Sequence, residues 1–333
     1  MQTQRPRVFS GVQPTGKLHI GNYVGALSLW AENQDQYDNV FCVVDLHAVT
    51  IPEVVDPAVL RAKTRESAAL YVAAGIDPER STIFVQSHVK AHAELAWILT
   101  CVTPVGWLER MTQYKVKSAQ QESVGAGLLS YPVLQAADIL LYDADLVPVG
   151  EDQRQHIELT RDIAARFHHM FGDVFVLPEA LVRASGARIM GLDDPTAKMS
   201  KSIGQAKVGH AIGLTDPPNV IRKAIMRAET DSGNDTRFET AGPGVLNLLT
   251  MYEALSGQPR DKIEAAFDGE GYGHLKRTVA DLVLSTLEPM QQRYHELMDD
   301  PAELERMLAA GADRARPRAE ATLARAKEAT GIG

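Results

Sequence analysis

No run of eighteen apolar residues occurs in the 333-residue chain, so no membrane-spanning helix is expected. Cysteine is nearly absent. Cys42 and Cys101 stand far apart and outside any Cys-x-x-Cys pair, which speaks against a cysteine zinc or iron–sulfur site. Two reduced core thiols are the expectation. Positive charge is in deficit, with 34 Lys and Arg against 43 Asp and Glu. A net charge of −9 argues against indiscriminate nucleic-acid binding but leaves room for a shaped partner met by a local basic surface. The start, Met1 to Arg7, lacks the apolar stretch of a secretion signal. A cytoplasmic protein with no membrane partner is expected. His168, His169, His274 and His295 lack metal-ligand spacing, so no protein-held metal is expected.

What the chain does have begins at Arg7-Val-Phe-Ser-Gly-Val-Gln-Pro-Thr-Gly-Lys-Leu-His-Ile-Gly-Asn22. A short apolar strand around Val8 and Phe9 enters a turn built from Gly11, Pro14 and Gly16. A helix starts near His19 to Gly21. Strand, Gly-rich turn and helix N-terminus bring unpaired N–H groups and the positive end of a dipole together, which suits phosphate. Gly11-x-x-x-x-Gly16-Lys17 follows a P-loop until Leu18, which lacks the hydroxyl that would hold magnesium. The competing phosphate motif is Pro14-x-x-x-x-His19-Ile20-Gly21-Asn22. A tight strand–helix turn with no ligand is the plain alternative.

Asn39 to Asp45 reads as a buried parallel strand, and Asp56-Pro57 opens a helix that Gly75 closes. Ser81 to Gln86 is the next strand. The text is helical from about His92 to Tyr142, returns to strand at Asp145 to Val149, and is helical again to about Met170. Ala187 to Met190 is the last expected strand. This alternation predicts an α/β fold with a Rossmann-type parallel sheet and a helical insertion at about 90–142. Beyond about residue 210 nearly everything is helical, with helices opening at Asp216-Pro217-Pro218 and Gly242-Pro243-Gly244 and a long one from Tyr272 to Met298. Asp300 caps a last helix that Gly311 and Pro317 should interrupt or kink. Two domains are expected, a catalytic one at 1–208 and an all-helical one at 209–333.

The loop Ala197-Lys-Met-Ser-Lys-Ser202 carries two lysines three apart, two hydroxyls, and Met199 as its one apolar anchor. Such a loop can bring two ammonium groups to the phosphates of ATP and neutralise charge as pyrophosphate leaves. Read blandly, it is a solvated charged loop. Lys198-Met-Ser-Lys-Ser202, downstream of His19-Ile-Gly-Asn22, resembles the second motif of the class I aminoacyl-tRNA synthetases. The earlier stretch resembles their first motif, with Asn22 in place of its second His. Five further blocks extend the likeness: Phe9-Ser-Gly-Val-Gln-Pro-Thr-Gly16, Val44-Asp-Leu-His-Ala-Val-Thr50, Ala136-Ala-Asp-Ile-Leu-Leu-Tyr142, Val149-Gly-Glu-Asp-Gln153 and Gly186-Ala-Arg-Ile-Met190. Together they resemble the bacterial tryptophanyl-tRNA synthetases over residues 9–202. The tail resembles that family's anticodon-binding domain less specifically.

Tyr131, Gln135 and Asp138 fall at i, i+4 and i+7 of an otherwise apolar helix and so share a face. A buried carboxylate there needs a partner. Either Asp138 is a core residue satisfied by the protein, or it accepts the indole N–H, a group that can only donate. The resemblance favours the second. It implies that Tyr131 and Gln153 hold the α-amino group and that Phe9, Gly11, His47, Val147 and Val149 wall the ring. Gln135 stands where many relatives carry Met. For ATP it implies Gln13, Pro14, Thr15, His19, Gly21, Asn22, Gly150, Glu151, Asp152, Ile189, Lys198, Met199, Ser200, Lys201 and Ser202. Lys198, Lys201, Gln13 and Asn22 are the catalytic residues it points to. Asp152 would meet the ribose and Ile189 would offer its backbone to adenine.

The implied reaction joins L-tryptophan and ATP into tryptophanyl-adenylate, with Mg2+ bound through the ATP phosphates, and then loads tRNA(Trp). His47 is not needed as a base, because the attacking carboxylate is already ionised; the chemistry rests on positioning and electrostatics. A homodimer is implied. Arg314, Arg316, Arg318 and Arg325 gather basic charge near the C-terminus, either for a phosphate backbone or in ion pairs with Glu320 and Glu328. Three rivals remain: a small-molecule nucleotidylyltransferase, a tyrosine-specific relative, and a non-enzymatic RNA-binding paralogue.

Overall fold

The computed structural model describes residues 5–52, 55–150, 153–182, 188–199 and 209–333. Among these, five parallel strands form one sheet: β1 (Arg7–Val12), β2 (Asp38–Val43), β3 (Thr82–Val85), β4 (Leu146–Val149) and β5 (Glu179–Val182). Their order is β3-β2-β1-β4-β5. Arg7 pairs with Asp38, Val40 with Thr82, Val8 with Leu146 and Leu146 with Glu179. β1 and β4 are thus neighbours though far apart in sequence, and the strand order turns between them. The expected Rossmann-type sheet is present.

β2 shows why the strands read as unbroken apolar runs. Phe41 and Val43 pack into the core on one face, Val40 and Cys42 into the core on the other. Successive side chains point to opposite faces, and both faces are covered. On the first face lie α2 (Pro57–Ala73) and the tail helices α8 (Pro218–Met226), α9 (Pro243–Ser256), α10 (Arg260–Phe267) and α11 (Tyr272–Asp299). On the second lie α3 (Ala91–Val102), α6 (Ala126–Leu140) and α7 (Arg154–Phe171). Short helices α4 (Val105–Glu109) and α5 (Thr112–Ser118) complete the expected insertion. The first helical run, α1 at residues 20–32, contains a π-helical turn at Tyr23–Leu27. α2 begins as expected, with Asp56 accepting from the N–H groups of Ala58 and Val59 and Pro57 in the first turn.

Four expectations need correction. The fifth strand, β5, lies earlier than the one expected at Ala187 to Met190, directly after Pro178; Ala187 lies outside the described residues, and of the rest Met190 forms an isolated antiparallel bridge to Lys198. The last helix, α12 (Pro301–Thr330), runs unbroken through Gly311 and Pro317. Packing along its length outweighs the local cost of both residues. α12 places Leu304 and Leu308 in the first core and Ala312, Ala315, Ala319 and Leu323 in the second, so it crosses the edge of the sheet. Gly311 lies at the crossing, where a Cβ would overlap the carbonyl of Ile83 in edge strand β3. The edge is thereby covered. Of the two thiols expected in the core, Cys42 is buried but Cys101 is exposed.

The arginines of α12 are the fourth correction, because they meet the protein's own chain. Arg314 donates to the carbonyls of Pro78 and Ser81, Arg318 pairs with Asp38 at 2.9 Å, and Arg325 pairs with Asp143 at 2.7 Å. Arg316 pairs with Asp313 one turn back, at 2.6 Å. Glu320 and Glu328, the expected partners, are not used in these pairs. Three of the four thereby tie α12 to segments beside the sheet.

Candidate active site

A cavity of about 370 Å³ opens at the C-terminal ends of β1 and β4, where ligands of open parallel sheets bind as the strand order turns. β1 brings Phe9, Ser10 and Gly11; β4 brings Val147, Pro148 and Val149, with Gly150 just beyond. α6 contributes Tyr131, Gln135 and Asp138 from one face, as their spacing requires. His47 comes from a 3-10 turn at Asp45–Thr50, and Gln153 from the start of α7. All nine residues expected at a tryptophan site therefore line one cavity.

Asp138 is 1% exposed. Its Oδ1 accepts from Gln86 Nε2 and pairs with His92 Nδ1, both at 2.6 Å, and its Oδ2 pairs with His47 Nε2 at 2.8 Å. Burial would raise the carboxyl, but the hydrogen bonds from His47 and His92 outweigh it and hold Asp138 below the ordinary carboxylate range. Asp138 is thus a core residue satisfied by the protein, the first of the two alternatives, and it also walls the cavity. His47 has its own anchors, since its carbonyl accepts from Gln13 Nε2 at 2.8 Å and Thr50 Oγ1 at 2.9 Å.

At the other end of the α6 face, the Tyr131 hydroxyl lies 2.8 Å from His156 Nε2, and burial pushes its phenol up to about 12. The ammonium of Lys117 sits 5.4 Å from the Tyr131 ring centre and is lowered by burial. Lys117 and its α5 neighbour Gln113 line the cavity. Sequence reading missed both, together with Thr50, Ile139 and the supports Gln86 and His92. A helical Lys-x-Lys in an insertion looks like a solvated face, and nothing in its spacing marks Lys117.

The expected ATP residues fall in a second group beside the cavity. Gln13 and Gly150 line it. His19 precedes α1, and its backbone N–H donates to Asn22 Oδ1 at 3.0 Å, so one side of the Asn22 amide caps the helix. Leu18 and Ile20 exchange backbone hydrogen bonds with Leu214 and Ile212. A side chain on Gly21 would come within 3.1 Å of the His19 ring and 3.6 Å of Ile189, so Gly21 is what leaves this floor open. Pro14 is buried and Thr15 exposed at the turn, where Gly16 takes φ +66°.

Ile189 and Met199 face each other in a hairpin, with Met199 N–H donating to the Ile189 carbonyl at 3.2 Å. Met199 is buried, as its role as apolar anchor required. Asn247 of α9 clamps both backbone groups of Met190, at 2.8 and 3.0 Å. His210 braces the base of the loop from beneath. Its Nδ1 lies 2.6 Å from Asp193, its Nε2 lies 3.4 Å from the Lys198 carbonyl, and any Cβ on Gly191 would intrude within 2.6 Å of its ring. Lys198 itself is exposed. Glu151, Asp152, Ser200, Lys201 and Ser202 lie outside the described residues.

Comparison with known proteins bears on what this arrangement belongs to. A family model described as tRNA synthetases class I (W and Y) matches residues 1–288. The chain is 53% identical over 334 residues to the tryptophan–tRNA ligase of Leifsonia xyli subsp. xyli, covering 99% of this chain and 98% of that protein. Among solved structures, the tryptophanyl-tRNA synthetase of Mycoplasma pneumoniae matches with a TM-score of 0.88 at 35% identity, covering 99% of both chains. That of Campylobacter jejuni, complexed with ADP and tryptophan, matches with a TM-score of 0.85 at 37% identity, covering 98% of this chain and 99% of that one. The chain belongs to the class I tRNA synthetases of the W and Y family, in its bacterial tryptophanyl branch.

Proposed function

We propose that this chain is a tryptophan–tRNA ligase that activates L-tryptophan with ATP in this cavity and transfers the amino acid to the 3′ end of tRNA(Trp). One observation carries the reading: a cavity of small-molecule size, lined by apolar and polar side chains together, is walled at one place by a buried, acceptor-only carboxylate. Asp138 would receive the indole N–H, with the ring between Phe9, Gly11, His47, Val147 and Val149. Tyr131 and Gln153 would take the α-amino group. Gln135 would lie along the ring from the α6 side.

The tryptophan carboxylate is ionised at neutral pH and attacks the α-phosphate of ATP without a general base. Adenine and ribose would rest on Gly21, Asn22, Ile189, Gly150 and Asp152. Gln13, Pro14, Thr15 and His19 would approach the phosphates, with Lys198 and Lys201 set against the charge that grows on pyrophosphate. Lys117 adds a cation on the cavity wall itself, where both reacting groups are anions. Mg2+ is proposed to arrive on the phosphates of ATP, the usual manner in which this ion reaches such sites, and to spread their charge.

Trp97 is 70% exposed on α3, with Cys101 one turn on, and Val105 is exposed at the start of α4. A second copy of the chain is proposed to cover this apolar ground; Trp97→Glu would then yield monomers by light scattering. The helical tail is proposed to meet tRNA through surfaces other than α12, such as that of the exposed Lys223 and Arg227 on and after α8. No described helix is long and apolar enough to cross a membrane, and we place the protein in the cytoplasm with its tRNA.

ATP–pyrophosphate exchange with each of the twenty amino acids tests the assignment. Exchange with tryptophan alone is expected. Exchange that prefers tyrosine would move the chain to the family's other specificity.

A further inference from the structure

Asp138 is supported from behind by residues that never reach the cavity. Gln86 and His92 are both fully buried, and neither lines it. They occupy Oδ1, while among the described residues Oδ2 has His47 alone, from the cavity side. A carboxylate offers about four lone-pair positions, so the spare capacity lies on Oδ2.

Behind His92 stands Tyr142, whose hydroxyl lies 2.8 Å from His92 Nε2. Tyr142 is 1% exposed, and among the described residues its hydroxyl has no second partner. A phenol O–H buried to that degree must donate, and Nε2 is the acceptor within reach. That accounting puts the His92 proton on Nδ1, the nitrogen that faces Asp138. Tyr142 is itself held in place by stacking on Phe9, at 5.6 Å between ring centres and 9° between planes, and by the tilted ring of Phe84 at 5.7 Å. Without the tyrosine hydroxyl, the His92 proton is free to sit on Nε2. A lone pair on Nδ1 would then oppose a lone pair on Oδ1, and the carboxylate would have to turn or take up a proton.

We infer that Tyr142 and His92 form a relay that fixes the proton arrangement around Asp138 so that Oδ2 can only accept. The two buried residues are thereby positioning determinants of selectivity for a substrate ring bearing an N–H. The inference rests on the proposed meeting of Asp138 with the indole N–H. It predicts that selectivity, not nucleotide binding, fails when the relay is broken.

The test compares exchange kcat/KM for tryptophan with that for β-(benzothiophen-3-yl)alanine, in which sulfur replaces the indole N–H. The native protein should prefer tryptophan by ~10–100-fold, the worth of a hydrogen bond to a charged acceptor. Tyr142→Phe and His92→Leu should each cut that ratio by about threefold or more, with KM for ATP unchanged. His92→Asn sets an amide donor where Nδ1–H stood and should keep most of the ratio. A native ratio near one would sink the assigned role of Asp138 and the relay with it. A native preference that persists in both Tyr142→Phe and His92→Leu, even at lower overall rate, would overturn the relay alone and leave Asp138 in its role.

Discussion

Replacing Gly311 by Ala sets two calculable effects against each other. Inside an exposed helix the change stabilises by about 1 kcal/mol, because Ala loses less backbone entropy. At Gly311 the added Cβ would overlap the Ile83 carbonyl oxygen and stand 2.7 Å from its carbon. The helix must withdraw by ~1 Å to restore an ordinary carbon–carbon contact of about 3.5–4.0 Å. That movement loosens Ala312, Ala315 and Ala319, all nearly fully buried against the second core. It also draws Arg314 away from the carbonyls of Pro78 and Ser81. Overpacking of this kind costs ~1–3 kcal/mol before the loosened contacts are counted, so the clash wins. The urea midpoint of Gly311→Ala should fall. Gly273→Ala, near the start of α11, is the control: its Cβ would meet only the mobile tip of Arg277, at 3.4 Å, and it should be neutral or slightly stabilising. A Gly311→Ala protein at least as stable as the parent would refute the edge-crossing account of α12.

Three further outcomes follow from the same geometry. Lys198→Ala should slow adenylate formation by ~10²–10³ with tryptophan affinity near normal, because the ammonium acts on charge that develops in the transition state; equilibrium binding beside single-turnover rates separates the two. Arg318→Glu with Arg325→Glu should lower the melting temperature and depress exchange and tRNA charging together, whereas a rise in KM for tRNA alone would return these arginines to RNA. Burial would raise Asp38, but Arg7 and Arg318 outweigh it and hold the carboxyl below its ordinary 3.8. The folded state then binds fewer protons than the unfolded chain, so this contribution is complete above that value and is lost as pH falls through the depressed one. Urea midpoints of native protein and Asp38→Asn should therefore converge in acid; a constant gap would show that the pair contributes nothing there.

The parts legible in the sequence were those governed by local rules. Asp56-Pro57 opened its helix, β2 declared itself as an apolar run, and the period of α6 put Tyr131, Gln135 and Asp138 on one face. The cavity was legible for the same reason, as its walls are strand ends and one helix face. What stayed hidden depends on contacts distant in sequence. Gly311 and Pro317 look like breaks until β3 and both cores are seen against α12. Arg318 and Arg325 look like an RNA surface until Asp38 and Asp143 arrive from some 180 to 280 residues away. Gln86 and His92 carry no spacing signal at all, since they meet Asp138 only through the fold. β5 was missed because Glu179-Ala-Leu-Val182 is short and follows a proline.

The central claim is that the Asp138 carboxylate selects tryptophan, and Asp138→Asn tests it most directly. The amide can still accept from Gln86 and His92 through its oxygen, so the fold should hold, while its NH2 faces the cavity with a donor. Against the indole N–H that exchanges a charged acceptor for a donor, at a cost of ~1.5–3 kcal/mol or more. Pyrophosphate exchange on native and variant protein should show kcat/KM for tryptophan falling at least about tenfold, with melting temperature and KM for ATP little changed. Tryptophan kinetics that are the same in both proteins would contradict the claim and leave Asp138 a core residue that happens to border the cavity.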